Sequence, residues 1–200
     1  MALDEVLLKS ARTPLLRRYR WSEPAVSFGY FSRYDEALAF AAGRALVRRW
    51  TGGGIVAHGD DLTYSLIIPS SDGTYTLPSS TIYSRVHGAL VTSLQSAGVR
   101  ASLALENCPR EGDICFANPV IADVMQSGRK IAGAAHRKSG AGLLHQGSIQ
   151  CATPDDPFVQ DFTRNLAHVS HPENLGDTLV AEAQTLARDK YASDAWLHRR

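Results

Sequence analysis

A run of three glycines at positions 52–54 is the strongest candidate for ligand binding in this sequence. Because glycine has no Cβ, backbone N–H groups can approach a ligand closely, and the preceding Arg48 and Arg49 offer positive charge for an anion. His58 follows four residues after the last glycine. The same pattern is typical of a glycine-rich hairpin with solvated arginines, so both interpretations stay open. It is not a P-loop, since no Gly-Lys-Ser/Thr ending follows.

Lys130 is the second candidate, because it opens a predicted strand of small residues that includes Gly133 and Ala135. Small neighbours leave room for a ligand chain, and an inward-pointing ammonium would polarise a carbonyl or pair with a phosphate. The alternative is an exposed lysine at a turn.

Cys115 is the third candidate, in a loop-like stretch at 112–119. A loop thiol near Lys130 and a histidine would have a lowered pKa and act as a nucleophile, although a free cysteine is more often a small buried hydrophobe. Cys108 and Cys151 offer less. Their spacing does not match a zinc site, and no metal is predicted.

The histidines are less informative. His145 lies in a predicted strand where Gly147 allows close approach, so both are candidates for a pocket wall. His87 and His168 are most simply surface or internally satisfied residues. No Ser-His-Asp motif of the Gly-x-Ser-x-Gly type occurs.

Length and composition favour one globular domain over residues 1–200. The chain has a formal net charge of +1, with 44% hydrophobic and 20% charged residues, which suits a folded core and does not favour nucleic acid as a partner. No apolar run approaches the roughly 18 residues that span a bilayer, and Asp4 and Glu5 count against a signal peptide. Three cysteines suit a reducing compartment, so we expect a cytoplasmic protein.

The elements that must position these residues follow from periodicity and turn signals. Ile82, Val86, Leu90 and Leu94 recur every four residues and predict a helix that Gly98 closes. Further helices are predicted at 33–42, from the 153–156 start signal onward, and at about 173–190. Strands are predicted at 25–31, 45–50, 62–69, 99–105, 120–125, 130–137 and 143–151, the last three as antiparallel neighbours. The fold class is therefore α+β, with one mostly antiparallel sheet flanked by helices.

Five segments occur in an order that resembles the lipoate–protein ligase and octanoyltransferase family, within the biotin/lipoate ligase superfamily. They are WSEPAVSFGY, RRWTGGGIVAH, DLTYSLIIP, GRKIAGAAHRK and LLHQGSI. The resemblance covers about residues 3–151 and leaves a helical segment at about 154–200. It implies a biotin/lipoate ligase-like catalytic domain that acylates one lysine of a lipoyl carrier domain.

The resemblance also implies roles for individual residues. Arg49, Gly52, Gly53 and Gly54 would form a loop over the acyl or phosphate group, with His58 at the pocket rim. Lys130 would contact the acyl carbonyl, and Gly133 and Ala135 would leave room for the acyl chain. Candidate apolar walls are Val56, Leu66, Ile131 and Ala135.

Two reactions are open within the family. Octanoyltransferases form a cysteine thioester, and Cys115-Phe116, fifteen residues before Lys130, fits the branch whose cysteine precedes Phe. Ligases form an acyl-adenylate from ATP, and many have an accessory domain for which this chain is too short. Gly54, where that transferase branch often has Arg, leans toward the ligases. We favour the transferase with Cys115 and Lys130 as catalytic residues, and keep the ATP-dependent ligase as the alternative.

The expected partners follow from the transferase interpretation. The donor is octanoyl-acyl carrier protein, and the acceptors are the glycine-cleavage H protein and the acyltransferase subunits of 2-oxoacid dehydrogenases. No tightly bound cofactor is expected, and ATP with Mg²⁺ is needed only by a ligase. A third hypothesis is a non-catalytic acyl-binding component of a two-part ligase. Neither a nucleic acid nor a membrane is an expected partner.

Overall fold

The computed structural model describes residues 1–108, 115–151 and 156–199. Its helices are α1 (Ala2–Ser10), α2 (Tyr34–Ala41), α3 (Ser79–Ser96), α4 (Asp156–Leu166), α5 (Asp177–Leu186) and α6 (Asp194–Leu197). Its strands are β1 (Leu15–Tyr19), β2 (Ala25–Phe28), β3 (Ala45–Arg48), β4 (Val56–His58), β5 (Leu62–Pro69), β6 (Ser102–Leu103), β7 (Val124–Gln126), β8 (Arg129–Ser139) and β9 (Gly142–Ile149).

Six strands form one antiparallel sheet in the order β1-β5-β9-β8-β7-β6. The central strands β5 and β9 pair over their whole length, from Leu62 opposite Ile149 to Pro69 opposite Gly142. Both strands are buried on both faces, because α3 and α4 cover one face and α1 covers the other. The α+β class with a mostly antiparallel sheet flanked by helices is confirmed.

A second sheet of three strands lies in the order β3-β2-β4, where β2 is parallel to β3 and antiparallel to β4. The expectation of a single sheet is therefore wrong. The glycine loop joins β3 to β4, but these two strands both pair with β2 and not with each other. The hairpin interpretation of the glycine run is wrong for that reason.

The longest helix, α3, forms where the four-residue apolar repeat predicts it. Ile82, Val86, Leu90 and Leu94 are each at most 3% exposed, and they pack on the large sheet together with Phe158 and Phe162 of α4. This packing attaches the C-terminal helices to the main core.

Several predicted bounds change. The strand predicted at 99–105 shortens to two residues, and the one predicted at 120–125 begins at Val124. The helix predicted at 173–190 begins at Asp177 and passes into a wider helical turn at Ala187–Tyr191. The helix-start signal at 153–156 lies mostly outside the described residues, and α4 is described from Asp156.

The sequence missed α1 and β1. Asp4 and Glu5 of α1 are buried, so the helix lacks a plain apolar face, and each carboxylate is instead paired, with Arg17 and Lys190 respectively. Strand β1 carries two consecutive arginines and shows no alternation. Among the residues described, no helix combines the length and apolarity that crossing a bilayer requires.

Candidate active site

An open cleft lies where the glycine loop and β4 meet strands β8 and β9. Its empty space, including the open solvent at its mouth, is about 440 Å³. Its lining combines apolar and polar side chains with glycine backbone, namely Met1, Tyr19, Trp21, Ser27, Arg49, Gly53, Val56, His58, Thr63, Cys115, Phe116, Gly133, Ala134, Ala135, Gln146, Gly147 and Ser148.

Cys115 lines this cleft, and the buried Lys130 contacts the cysteine. The Lys130 Nζ lies 3.4 Å from the Cys115 Sγ and donates a hydrogen bond of 3.1 Å to the Cys115 carbonyl. The backbone N–H of Cys115 donates to the Ile55 carbonyl at 2.9 Å, which ties the cysteine to the end of the glycine loop. Lys130 also lies 5.3 Å from the centre of the Phe116 ring. An ammonium in hydrogen-bond range of sulfur favours the thiolate, which is the nucleophilic form.

Asp123 holds Lys130 in place. The Asp123 Oδ2 lies 2.8 Å from the Lys130 Nζ, and both side chains are at most 2% exposed. The other carboxylate oxygen accepts a hydrogen bond from the Tyr83 hydroxyl. The backbone N–H of Val120 completes the set by donating to Oδ2 at 2.8 Å. Buried charged groups require such partners, and Asp123 and Lys130 provide them for each other.

Gly133 makes room for this lysine. A Cβ at Gly133 would lie 2.4 Å from Lys130 Cε, 2.7 Å from its Nζ and 3.1 Å from Asp123 Oδ1. The expectation was that Gly133 leaves space for an acyl chain. Gly133 does line the cleft, but the nearest occupant of its missing side chain is Lys130.

Arg48 and Arg49 do not project freely toward a ligand. The Arg48 guanidinium donates to the carbonyls of Tyr30 and Ser32, and its Nε donates to that of Leu197. Arg49 donates to the Gly52 and Gly54 carbonyls at 3.0 and 2.7 Å. Burial lowers the pKa of Arg49 to about 10, while the charge of Cys115 acts in the opposite direction. Both arginines hold loop backbone, and Arg49 fixes the glycine loop from within.

Only the middle glycine of the loop faces the cleft. Gly53 has a φ of +84°, and a Cβ there would lie 3.2 Å from Arg49 Nη2 and 3.3 Å from Ala135 Cβ. Gly52 and Gly54 instead turn their carbonyls toward Arg49, and neither lines the cleft. The loop is further anchored by Thr51, whose hydroxyl donates to Gln146 at 2.8 Å.

His58 lies on the cleft wall within a dense polar network. Its Nδ1 is 2.8 Å from Asp61 Oδ2, and its Nε2 is 2.6 Å from Ser27 Oγ. Trp21 stacks on the imidazole with ring centres 4.2 Å apart. Burial alone would raise the pKa of Asp61, but hydrogen bonds from His58, Ser148 and the Gly59 N–H lower it below its usual value. Asp61 is therefore a carboxylate at neutral pH.

His145 does not line the cleft, contrary to the expectation. It is fully buried, with its Nε2 3.0 Å from the Tyr64 hydroxyl and its Nδ1 2.6 Å from His136 Nε2. His87 of α3 packs against it with ring centres 5.6 Å apart. The side chain points toward α3, so the pocket wall on β9 is formed by its neighbours Gln146, Gly147 and Ser148.

This histidine cluster predicts loss of stability in mild acid. Burial lowers the pKa of both His87 and His136 to about 4, and that of His145 well below its usual value. The unfolded chain therefore binds more protons than the folded one between about pH 6.5 and 4, and stability falls as the pH falls through that window. For His87 and His136, we expect a loss of roughly 2 kcal/mol each between pH 7 and pH 5.

Urea denaturation at pH 7, 6 and 5 measures this loss. His136→Gln, at the half-buried end of the cluster, should flatten the slope, while His168→Gln on the surface should leave it unchanged. A free energy of unfolding that stays constant from pH 7 to pH 5 would contradict the assignment.

Some functional candidates could not be seen in the sequence. Asp123 and Tyr83 belong to the Lys130 site, and Ser27 and Asp61 to the His58 network, but none stood out by local spacing except Asp61, three residues after His58. Of the apolar wall candidates, Val56 and Ala135 line the cleft. Leu66 and Ile131 pack in the main core instead.

Metal and disulfide chemistry have no geometric basis within the ranges that the structure describes. There, no three His, Cys, Asp or Glu side chains cluster so that they could hold a metal ion. All three cysteines are free thiols, with Cys108 exposed and Cys115 and Cys151 half-buried.

Several known proteins resemble this chain in sequence. Octanoyltransferase LipM of Oceanobacillus iheyensis is 35% identical over 158 residues, covering 74% of this chain and 58% of that protein. Octanoyltransferase LipM of Staphylococcus aureus is 32% identical over 259 positions, covering 100% of this chain and 94% of that protein. That alignment is longer than the 200 residues of this chain, so the relative has segments without a counterpart here. In the alignment with the Oceanobacillus relative, this chain spans 58% of that protein's length.

Solved structures share the fold. A lipoate-protein ligase A bound with ATP superposes with a TM-score of 0.79 at 23% identity, covering 98% of this chain and 92% of that one. A bi-partite lipoate protein ligase of Thermoplasma acidophilum, studied with its E2 lipoyl domain, gives a TM-score of 0.72 at 22% identity and covers 98% and 89%. The family model of the lipoyl protein ligase A/B catalytic domain matches residues 1–176. The chain belongs to the lipoyl protein ligase A/B catalytic-domain family.

Proposed function

We propose that this protein is an octanoyltransferase that moves an octanoyl group from acyl carrier protein to a lysine of a lipoyl domain through a thioester on Cys115. The observation that carries the proposal is the Cys115 Sγ at 3.4 Å from the Lys130 Nζ on the wall of the cleft. The LipM relatives, named octanoyltransferases, support the same reaction.

In the first half-reaction the Cys115 thiolate attacks the carbonyl carbon of the octanoyl thioester. A bond forms between Cys115 Sγ and that carbon, and the bond to the carrier's sulfur breaks. The carrier's sulfur leaves as a thiolate and takes up a proton from solvent. The Lys130 ammonium stabilises the thiolate beforehand and the oxyanion of the tetrahedral intermediate during the exchange.

In the second half-reaction the acceptor lysine, as a neutral amine, attacks the Cys115 thioester. An amide forms, and Cys115 leaves as a thiolate that Lys130 again stabilises. A thioester suits this sequence of steps, because the thiolate is a good leaving group and the amide product is more stable than the thioester.

The cleft provides a place for the octanoyl chain. Trp21, Val56, Phe116 and Ala135 give it apolar surface beside the cysteine. At about 0.8 kcal/mol per buried methylene, the seven carbons beyond the carbonyl would contribute on the order of 5 kcal/mol. This binding energy comes from burying apolar surface and requires no charged group in contact with the octanoyl chain.

The state of the arginines supports transfer over adenylation. An acyl-adenylate presents a phosphate, which arginine side chains usually bind through their N–H groups. In this protein, Arg49 donates those groups to carbonyls of the glycine loop, and Arg48 donates them to the carbonyls of Tyr30 and Ser32. A thioester exchange involves no phosphate and does not require these arginine N–H groups.

The partners belong to the same proposal. The acceptors are lipoyl domains, of the glycine-cleavage H protein or of 2-oxoacid dehydrogenase subunits, and the donor is acyl carrier protein. The octanoyl group enters as a substrate. We place the reaction in the cytoplasm, which the three free thiols support, and treat residues 1–200 as one catalytic domain, since α4 shares the core of the large sheet.

The test is intact-protein mass spectrometry after incubation with octanoyl-acyl carrier protein in the absence of ATP. We expect an octanoyl adduct that hydroxylamine removes and that peptide mapping assigns to Cys115. An acceptor domain modified only when lipoate and ATP are present, with no adduct on the enzyme, would overturn the proposal in favour of a ligase.

Gly133→Ala tests the geometry around Lys130. The added Cβ pushes the Lys130 side chain off Asp123 and Cys115, so we expect octanoyl transfer to fall roughly 10- to 100-fold. Gly140→Ala is the matched control on the turn after the same strand, because a Cβ there meets nothing within 4 Å. The measurement is the initial rate of octanoyl transfer by the two variants and the wild type. Equal rates in all three would show that Lys130 does not need its present position.

A further inference from the structure

Ser27, His58 and Asp61 form a hydrogen-bonded series that the transfer described above leaves without a task. Ser27 lies on β2 and His58 on the antiparallel strand β4, so sheet pairing brings them together although 31 residues separate them. Ser27 and His58 line the same cleft as Cys115. The series links the cleft surface to a buried carboxylate.

The direction of each hydrogen bond follows from the groups at the two ends, the Asp61 carboxylate as acceptor and Arg49 as donor. The Asp61 carboxylate accepts only, so in a neutral imidazole the His58 proton lies on Nδ1 and Nε2 is an acceptor. The Ser27 hydroxyl therefore donates its proton to Nε2. Arg49 donates to the same Ser27 oxygen at 2.7 Å, which leaves one lone pair of that oxygen for a donor in the cleft.

Lys130 is unsuited to accept a proton during aminolysis. Its three N–H donors have partners in the Cys115 carbonyl, the Cys115 sulfur and the Asp123 carboxylate. An ammonium in that setting is a donor without a lone pair. Another group must take the proton that the attacking amine loses.

We propose that His58, acting through Ser27 and positioned by Asp61, is the proton acceptor for the lysine amine in the second half-reaction. This inference rests on the proposed function, since it assigns a residue to one of its two steps. In this scheme the Cys115–Lys130 pair forms and breaks the thioester. The Ser27–His58–Asp61 series takes the proton from the attacking amine.

As the amine nitrogen bonds to the thioester carbonyl carbon, its N–H proton passes to Ser27 Oγ, while the Ser27 hydroxyl proton passes to His58 Nε2. The carbon–sulfur bond to Cys115 breaks, and its electron pair leaves with the thiolate. The imidazolium that forms lies against the Asp61 carboxylate and afterwards releases its proton to solvent.

The surroundings of His58 suit a transient positive charge. Asp61 is 2.8 Å away and also accepts from Ser148 at 2.7 Å and Thr63 at 3.1 Å, so its orientation is fixed. Trp21 presents its ring face to the imidazole. On the opposite side, the charged Arg49 contacts the Ser27 hydroxyl oxygen and not the imidazole. Tyr19, also on the cleft wall, is neutral because burial raises its pKa.

The experiment separates the two half-reactions of the full chain. Wild type and His58→Gln are mixed in rapid quench with octanoyl-acyl carrier protein, and the rate of adduct formation on Cys115 is recorded. The adduct is then chased with an apo H protein, or with hydroxylamine, a weakly basic nucleophile whose protonated adduct is acidic enough to lose its proton to water. Asp61→Asn is the second variant, and His168→Gln is the control for replacing an exposed histidine.

We expect His58→Gln to slow discharge to the H protein by about 100-fold or more, in the range of general-base catalysis. Adduct formation and discharge by hydroxylamine should stay within about threefold of the wild type. A structural role for His58 would slow all three, and this outcome overturns the inference, as does an unchanged discharge to the H protein. Adduct formation by the wild type reports separately on the proposed function.

Discussion

Cys115→Ala should reduce octanoyl transfer by at least about 1,000-fold, since Cys115 carries the only thiol among the described residues that line the cleft. Cys115 lines the cleft with its sulfur beside the Lys130 ammonium, whereas Cys108 and Cys151 do not line it. The oxygen of a serine is a far weaker nucleophile at neutral pH, so Cys115→Ser should be almost as inactive as the alanine variant.

The measurement is the initial rate of octanoyl transfer to an apo H protein, with the protein variants matched for folding by circular dichroism. Cys108→Ala and Cys151→Ala are the matched controls, and we expect Cys108→Ala to keep the wild-type rate because its side chain is exposed. Full transfer from acyl carrier protein by Cys115→Ala would exclude the thioester route altogether.

Residue spacing and apolar runs predicted the helices and strands whose formation depends on residues close together in the chain. The four-residue spacing from Ile82 to Leu94 defines α3, and the apolar run at 62–69 defines β5 with its observed bounds. The arrangement of β3 beside β2 depends on pairing between distant residues, which propensity does not encode. The burial of Asp4 is likewise a tertiary effect, because its cost is offset by Arg17 on another element.

The residues of the candidate site likewise divide into those that stood out in the sequence and those that only the fold brings together. Cys115, Lys130 and His58 stood out by residue type and setting; Cys115 and His58 line the cleft, and Lys130 contacts Cys115. Asp123 did not, because its contact with Lys130 depends on how β7 pairs with β8, where the register shifts between Val124 and Met125. The sequence shows that position 133 is a glycine, but it does not show which side chain fills the space where a Cβ would lie.

Lys130→Met should affect both activity and folding. Removing the ammonium leaves the Cys115 thiol without a cation to favour its ionised form, so we expect octanoyl transfer to fall by about 100- to 1,000-fold. The same change leaves the Asp123 carboxylate, which is 0% exposed, without a counter-ion. Breaking a buried ion pair from one side typically costs about 3–5 kcal/mol, and we expect a loss of stability of that order.

The double variant Lys130→Met/Asp123→Asn separates the two effects. Asparagine has nearly the shape of aspartate but no charge, so the double variant should recover most of the lost stability in urea denaturation. Its transfer rate should remain as low as that of Lys130→Met, because the cation beside Cys115 is still absent. Lys138→Met, an exposed lysine on the same strand, is the control for replacing a lysine of β8.

The pattern across these variants distinguishes chemistry from folding. If the lysine served only to neutralise Asp123, restoring stability in the double variant would restore transfer as well, and Lys130 would have no part in the reaction. If it stabilises the thiolate and the oxyanion, stability and rate must separate, because only one of them depends on the contact with sulfur. Adduct formation on Cys115 should then be the step that stays slow in the double variant, since the ammonium acts before the thioester exists.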